Sequence, residues 1–230
     1  MAQAIALAPR RVQAGVLLPG ALLVLAGWGV LAVARDHQAV AQFAAMWVAM
    51  SIAMMVPTVL RPMMRAADGS VARAWSFLAG FIAVWLVAGI PTYVVMNAID
   101  WTPFWIAATW FIAGAYQVTP FMHRQLGTCR SVRYDGDATG YGVRQGLRCV
   151  ASCWPVMLAV MVTAMALPGT VLPLLALVAV TALLCWEKQP GVASRVIASV
   201  GMAMLLVAAG GYVLAGGGGA AHHSDGTSTS

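Results

Sequence analysis

Apolar residues in this chain come in long unbroken blocks, and polar residues gather in the short gaps between them. The blocks fall at about 15–34, 43–60, 75–98, 104–120, 146–167, 170–186 and 193–215. A hydrocarbon layer of roughly 30 Å is crossed by about 20 apolar residues of α-helix. The pattern therefore predicts about seven transmembrane helices, of which the fourth and sixth are short. Backbone groups in lipid must find partners within their own segment, which selects helices. The ten-residue alternation of an outer-membrane barrel is absent from the sequence. The expected fold is all-α: a polytopic membrane helix bundle.

Composition agrees with this pattern. Hydrophobic residues make up 61% of the chain, charged residues only 9%, and the mean hydropathy is +0.83, well outside the range of a soluble domain. The charges that remain set an orientation. When the loops are assigned alternately to the two sides, Arg10, Arg11, Arg61, Arg65, Arg73, Arg124, Arg130, Arg133, Arg144, Arg148, Lys188 and Arg195 share one side, and Arg35 alone falls on the other. Positive charge marks the cytoplasmic side, so the N-terminus is expected inside and, with seven helices, the C-terminus outside. The net charge of +6 and pI near 9.6 then reflect topology and contact with lipid headgroups. No basic domain with interleaved aromatics points to nucleic acid. The expected location is a bacterial-type inner membrane, crossed several times.

This reading divides the chain into a cytoplasmic segment 1–14, a helix bundle 15–215 with an inner loop 121–145, and a disordered tail 216–230 rich in Gly, Ser, Thr and Ala. The inner loop has the composition of a short amphipathic helix followed by a turn. Leu167-Pro168-Gly169 reads as a tight outer turn. Arg10 and Arg11 followed by an apolar run ending Ala32-Val33-Ala34 resemble a signal peptide. The run is long for one, and an uncleaved anchor is expected.

One block carries a ladder of sulfur: Cys149, Cys153, Met157, Met161 and Met165. Steps of four residues place these side chains on one slowly drifting helical stripe. The second block carries a matching run, Met46, Met50 and Met54. Soft sulfur donors favour soft ions such as Cu(I). If the two helices pack together, thioethers face each other at successive depths and end at two thiols on the cytoplasmic side.

Cys129, Cys149, Cys153 and Cys185 all fall in the cytoplasmic half. The cytosol is reducing, so clustered thiols there point to metal binding or redox chemistry before disulfides. Arg144, Arg148 and the positive end of the helix dipole favour thiolates near the start of that helix. His123 offers a nitrogen and Glu187 a carboxylate at similar depth. His222 and His223 offer a weak outer capture site.

Each feature has a plainer meaning. Methionine fills gaps in apolar cores, and free cysteine is a routine small core residue. Cysteines four apart form a looser pair than a Cys-x-x-Cys zinc motif. Glu187-Lys188 can be an interfacial ion pair, and Trp28, Trp101 and Trp186 can be interface anchors. The metal reading rests on the conjunction of thiols inside, thioethers leading to them, and little other charge in the membrane.

Several short stretches occur in series. The second block reads Trp47-Val48-Ala49-Met50-Ser51-Ile52-Ala53-Met54-Met55-Val56-Pro57, and the fourth ends Tyr116-Gln117-Val118-Thr119-Pro120. Cys129-Arg130-Ser131 follows, then Gly142, Gly146, Cys149, Cys153-Trp154 and Met157, and last Glu187-Lys188. The series resembles the family of predicted metal-binding integral membrane proteins, domain of unknown function 2182, over about residues 43–188. The chain departs from that family's pattern at Met122, Gln125, Val132 and Ser152, where Lys, Cys, Pro and a further Cys are usual. The resemblance implies a membrane architecture and a metal role without naming the ion.

Three functions follow as expectations. The first is transport or transfer of a soft metal ion, Cu(I) before Zn(II), with Met165, Met161, Met157, Met46, Met50 and Met54 passing the ion to Cys153 and Cys149. The second is an assembly factor that inserts metal into a partner membrane enzyme. Besides the lipid bilayer, the expected partner is a metal chaperone or a partner membrane protein. The third is a metal-free membrane scaffold. The chain shows no nucleophile–base–acid set, phosphate loop or His cluster, so an enzyme is not expected.

Overall fold

The computed structural model describes residues 10–33, 40–131, 133–166, 172–189 and 199–204, with the backbone alone at 32–33, 164–166 and 172–176. The described residues form helices and no strand: α1 (Arg10–Val33), α2 (Val40–Ala67), α3 (Val71–Ala98), α4 (Pro103–Gln117), α5 (Pro120–Ser131), α6 (Ala138–Ala166) and α7 (Leu172–Glu187). A further helical turn spans 199–204. The Leu167-Pro168-Gly169 turn, the rest of the seventh block, the side chain of Met165, and the tail with His222 and His223 lie outside the described residues.

Four helices, α1, α2, α3 and α6, are long and apolar enough to cross a membrane. At 1.5 Å per residue, α4 with 15 residues and α7 with 16 fall several Å short of a hydrocarbon layer. These are the two blocks that are short in the sequence. The stretch 121–145 contains a short helix and a turn. Its first part is α5, and a turn follows with Gly136 at φ 95°. Asp135 then accepts from the Arg144 guanidinium through both carboxylate oxygens, at 2.7 and 2.8 Å. That pairing holds the exposed Asp135 carboxyl below its usual range.

α3 is the hub: it packs against α1, α2 and most extensively against α6. Small residues make the approach possible. A side chain at Gly142 would overlap the carbonyl oxygen of Phe77, and one at Gly146 would stand 2.9 Å from Val84 Cβ. These two glycines, four apart, bring the α6 backbone onto α3 as small residues do in membrane helix pairs. Around them Phe77 packs on Tyr141 with ring centres 5.2 Å apart. Between α2 and α3, Trp47 fills the notch at Gly89 and donates to the carbonyl of Trp85 at 2.7 Å.

Prolines inside the helices give this bundle a second rule. A proline lacks the N–H that would pair with the carbonyl four residues before it, and an apolar bundle leaves that carbonyl without water. Pro155 of α6 orphans the carbonyl of Ala151, and the Tyr116 hydroxyl of α4 donates to that oxygen. Pro19 of α1 orphans Gly15, and Trp75 of α3 donates to it at 3.3 Å. Each aromatic donor thus completes a neighbouring helix. Trp154 to Thr92 at 3.0 Å and Trp110 to Thr163 at 2.7 Å add two more interhelical bonds.

Replacing Tyr116 with Phe should therefore cost about 1–3 kcal/mol, the cost of an unsatisfied buried carbonyl. In a Pro155→Ala background, where the substituted alanine supplies the missing N–H, the same change should cost less than about half of that. Unfolding in mixed micelles, arranged as a double-mutant cycle, measures both. Equal costs in the two backgrounds would contradict the pairing.

Candidate metal centre

The two sulfur-bearing helices meet in the half of the bundle that holds the C-terminal half of α2 and the N-terminal half of α6. Cys149, Cys153, Met157 and Met161 of α6 are buried, and so are Met46, Met50, Met54 and Met55 of α2, all within one core. α6 lies mainly against α3, α2 lies against both α1 and α3, and α2 and α6 touch each other over a limited stretch. The sulfur contact between them is specific: Cys149 Sγ stands 3.7 Å from Met55 Sδ. Both sulfurs can reach one ion if metal–sulfur bonds are about 2.3 Å, as for zinc thiolates. Met54, the fourth-residue match in the sequence, is buried in the same core, but its neighbour Met55 makes the contact. Cys153 lies one turn along from Cys149, with Ser152 Oγ 3.4 Å from its sulfur.

The cation at this site comes from an unexpected place. Lys188, just past α7, donates to Cys149 Sγ at 2.8 Å and to Thr58 Oγ1 at 3.2 Å. No ion pair joins it to Glu187. Glu187 is 1% exposed, and its Oε1 has no hydrogen-bond partner. The Glu187 carbonyl accepts from the Arg130 guanidinium. Arg144, expected beside the thiols, is tied to Asp135 instead. The Lys188 approach has no local signature, because 39 residues separate the partners in sequence.

Cys129 lies nearer the bundle end. Gln145 Nε2 donates to its carbonyl and to its sulfur, each at 3.2 Å. Burial pushes the Cys129 thiol above its ordinary value, with the Lys188 charge pulling the other way. His123 is half-buried on the same helix. Six residues at about 100° each turn it about 120° away from the Cys129 face. Cys185 is also half-buried and lines a separate cavity of about 340 Å³ with Lys188 and Thr58.

Among the described residues no three His, Cys, Asp or Glu side chains gather into a group able to hold a metal. Two thiols and a thioether, Cys149, Cys153 and Met55, are the sulfur donors at this contact. Such a set suits a soft monovalent ion better than zinc, which takes four Cys, His or carboxylate ligands.

Fold and site together define an all-helical, strongly apolar bundle that encloses sulfur donors. The family model described as PpoB2, copper chaperone, matches residues 44–212, and the chain belongs to that family. The matched region contains every one of these sulfur positions. No curated protein and no solved structure matches the chain.

Alkylation of Cys129 by iodoacetamide, followed by mass spectrometry, tests its burial. Its rate should still climb about tenfold per pH unit beyond about 8.5, where a free cysteine levels off. A plateau below that pH would contradict the raised value.

Proposed function

We propose that this protein is a multi-pass membrane copper chaperone that holds Cu(I) on Cys149, Cys153 and Met55 and passes it to a partner membrane enzyme. The observation that carries the reading is the 3.7 Å approach of a thiol and a thioether from different helices inside a closed apolar core. Membership of a copper chaperone family supports the choice of ion. Loading displaces the thiol protons, because the ligand is the thiolate. It also moves the Lys188 ammonium off Cys149, since copper and ammonium compete for one sulfur. Thioethers bind more weakly than thiolates, so Met55 is the donor that lets go first on transfer. No catalytic reaction is assigned to the chain.

We also propose seven spans over 15–215 with the N-terminus in the cytoplasm. The one-sided distribution of Lys and Arg supports the orientation, and the four long apolar helices support the membrane setting. In this orientation the thiol end faces the cytoplasm, where Cu(I) is held by other thiols.

One observation favours a second reading. Met46, Met50, Met54, Met157 and Met161 lie buried in the same core as the thiols, which suits passage of an ion along thioethers across the membrane.

The two readings make different predictions. Anaerobically purified protein should take up about one Cu(I) per chain, and Cys149→Ser with Cys153→Ser should lower this at least about tenfold. Unchanged copper content in the double variant would remove both readings. In a deletion strain a copper-dependent membrane enzyme should lose its metal. Copper uptake into liposomes by the purified protein alone would favour the transporter.

A further inference from the structure

Beside the thiols, at the same end of the bundle, is a cavity of about 110 Å³. Arg61, Arg65, Arg130 and Lys188 line it, together with Gln145 and Cys129. Among the described residues no acidic side chain is on its wall. Four cations from three separate elements, α2, α5 and the end of α7, therefore converge on one small space. Like charges so placed repel each other unless an anion lies between them.

Three acidic groups near this end are engaged elsewhere. Asp68 pairs with Arg73 at 2.7 Å and Asp135 with Arg144 at 2.7 Å. Asp137 caps the start of α6 through the Gly140 N–H at 3.0 Å. Glu187 is close enough to feel Lys188 and Arg130, but its carboxylate is not part of the wall. Meanwhile Arg61 Nε is buried without a hydrogen-bond partner. The space exceeds what one water needs several-fold, so a four-oxygen anion fits. Guanidinium forks match such oxyanions with paired hydrogen bonds.

We propose that this cavity is an oxyanion site, taking a phosphate- or carboxylate-type group from a small solute or a lipid headgroup, and that its occupation promotes copper loading. The coupling runs through Lys188. Its ammonium is both a wall of the cavity and the partner of Cys149. An oxyanion draws it toward the cavity and leaves the sulfur free for the metal. Copper on the sulfur displaces the Lys188 ammonium and releases it to the anion. Each ligand therefore strengthens the other, by the same factor in both directions. The coupling rests on the copper reading above, whereas the anion site stands without it.

Inorganic phosphate is the probe, titrated calorimetrically into the full-length protein in phosphatidylcholine nanodiscs, metal-free and Cu(I)-loaded. Metal-free protein should bind one phosphate saturably. Arg61→Gln should weaken this at least about tenfold, and Arg61→Lys should keep most of it. Circular dichroism checks that both variants retain helix. Copper loading should tighten phosphate at least about threefold. Loss of phosphate binding in phosphatidylglycerol nanodiscs assigns the site to a headgroup, and unchanged binding assigns it to a solute. Protein that takes up copper but never binds phosphate saturably would overturn the anion site. Phosphate binding that ignores copper would overturn the coupling. Phosphate binding without any copper uptake would leave the anion site standing and remove the copper reading.

Discussion

The backbone of α6 lies directly on the backbone of α3, and the position of every sulfur in α6 follows from that contact. A side chain at Gly142 would collide with the Phe77 carbonyl, so the approach depends on residues with no Cβ. Once α6 is seated, Cys149 and Cys153 face inward at the depth where α2 presents Met55. In a bundle this apolar there is little charge to hold a metal by long-range attraction. Selectivity has to come from the chemistry of the donors at contact range, and those donors are soft.

Several polar atoms in this core have an identified task. Tyr116 and Trp75 each complete a carbonyl that a proline in another helix leaves open. Lys188 is bound to a sulfur and a hydroxyl. A buried ammonium needs partners of this kind, since its desolvation is expensive. In the proposed loading, Cu(I) takes the place of the thiol protons and the ammonium leaves Cys149 as the metal arrives. The cavity lined by Lys188 gives the displaced ammonium somewhere to go.

Much of this was legible in the sequence. The apolar blocks mark the long helices, because burial in a membrane imposes a run of about 20 residues that nothing else requires. The four-residue spacing from Cys149 to Met161 marks an inward stripe, and the structure buries all four side chains. The inner loop reads as a short helix and turn, and α5 with Gly136 is that. What the sequence hides is rotation and long-range approach. Whether Met54 or its neighbour Met55 meets Cys149 depends on how α2 is turned about its axis, which adjacent methionines do not reveal. Lys188 reads as the partner of Glu187 beside it, yet reaches across to α6. Arg144 reads as a thiol neighbour, yet pairs with Asp135. Tryptophan is expected at the membrane interface, but Trp47 sits in the interior because Gly89 opens a notch and the Trp85 carbonyl accepts its N–H.

The central claim is that a thiol and a thioether from separate helices share one copper ion. Copper K-edge X-ray absorption on Cu(I)-loaded, selenomethionine-labelled protein tests it directly, beside a Met55→Leu variant labelled in the same way. The account predicts a copper–selenium component in addition to copper–sulfur, and its loss in the variant. Copper with sulfur neighbours alone in the labelled protein, or a selenium component that survives in the variant, would contradict it.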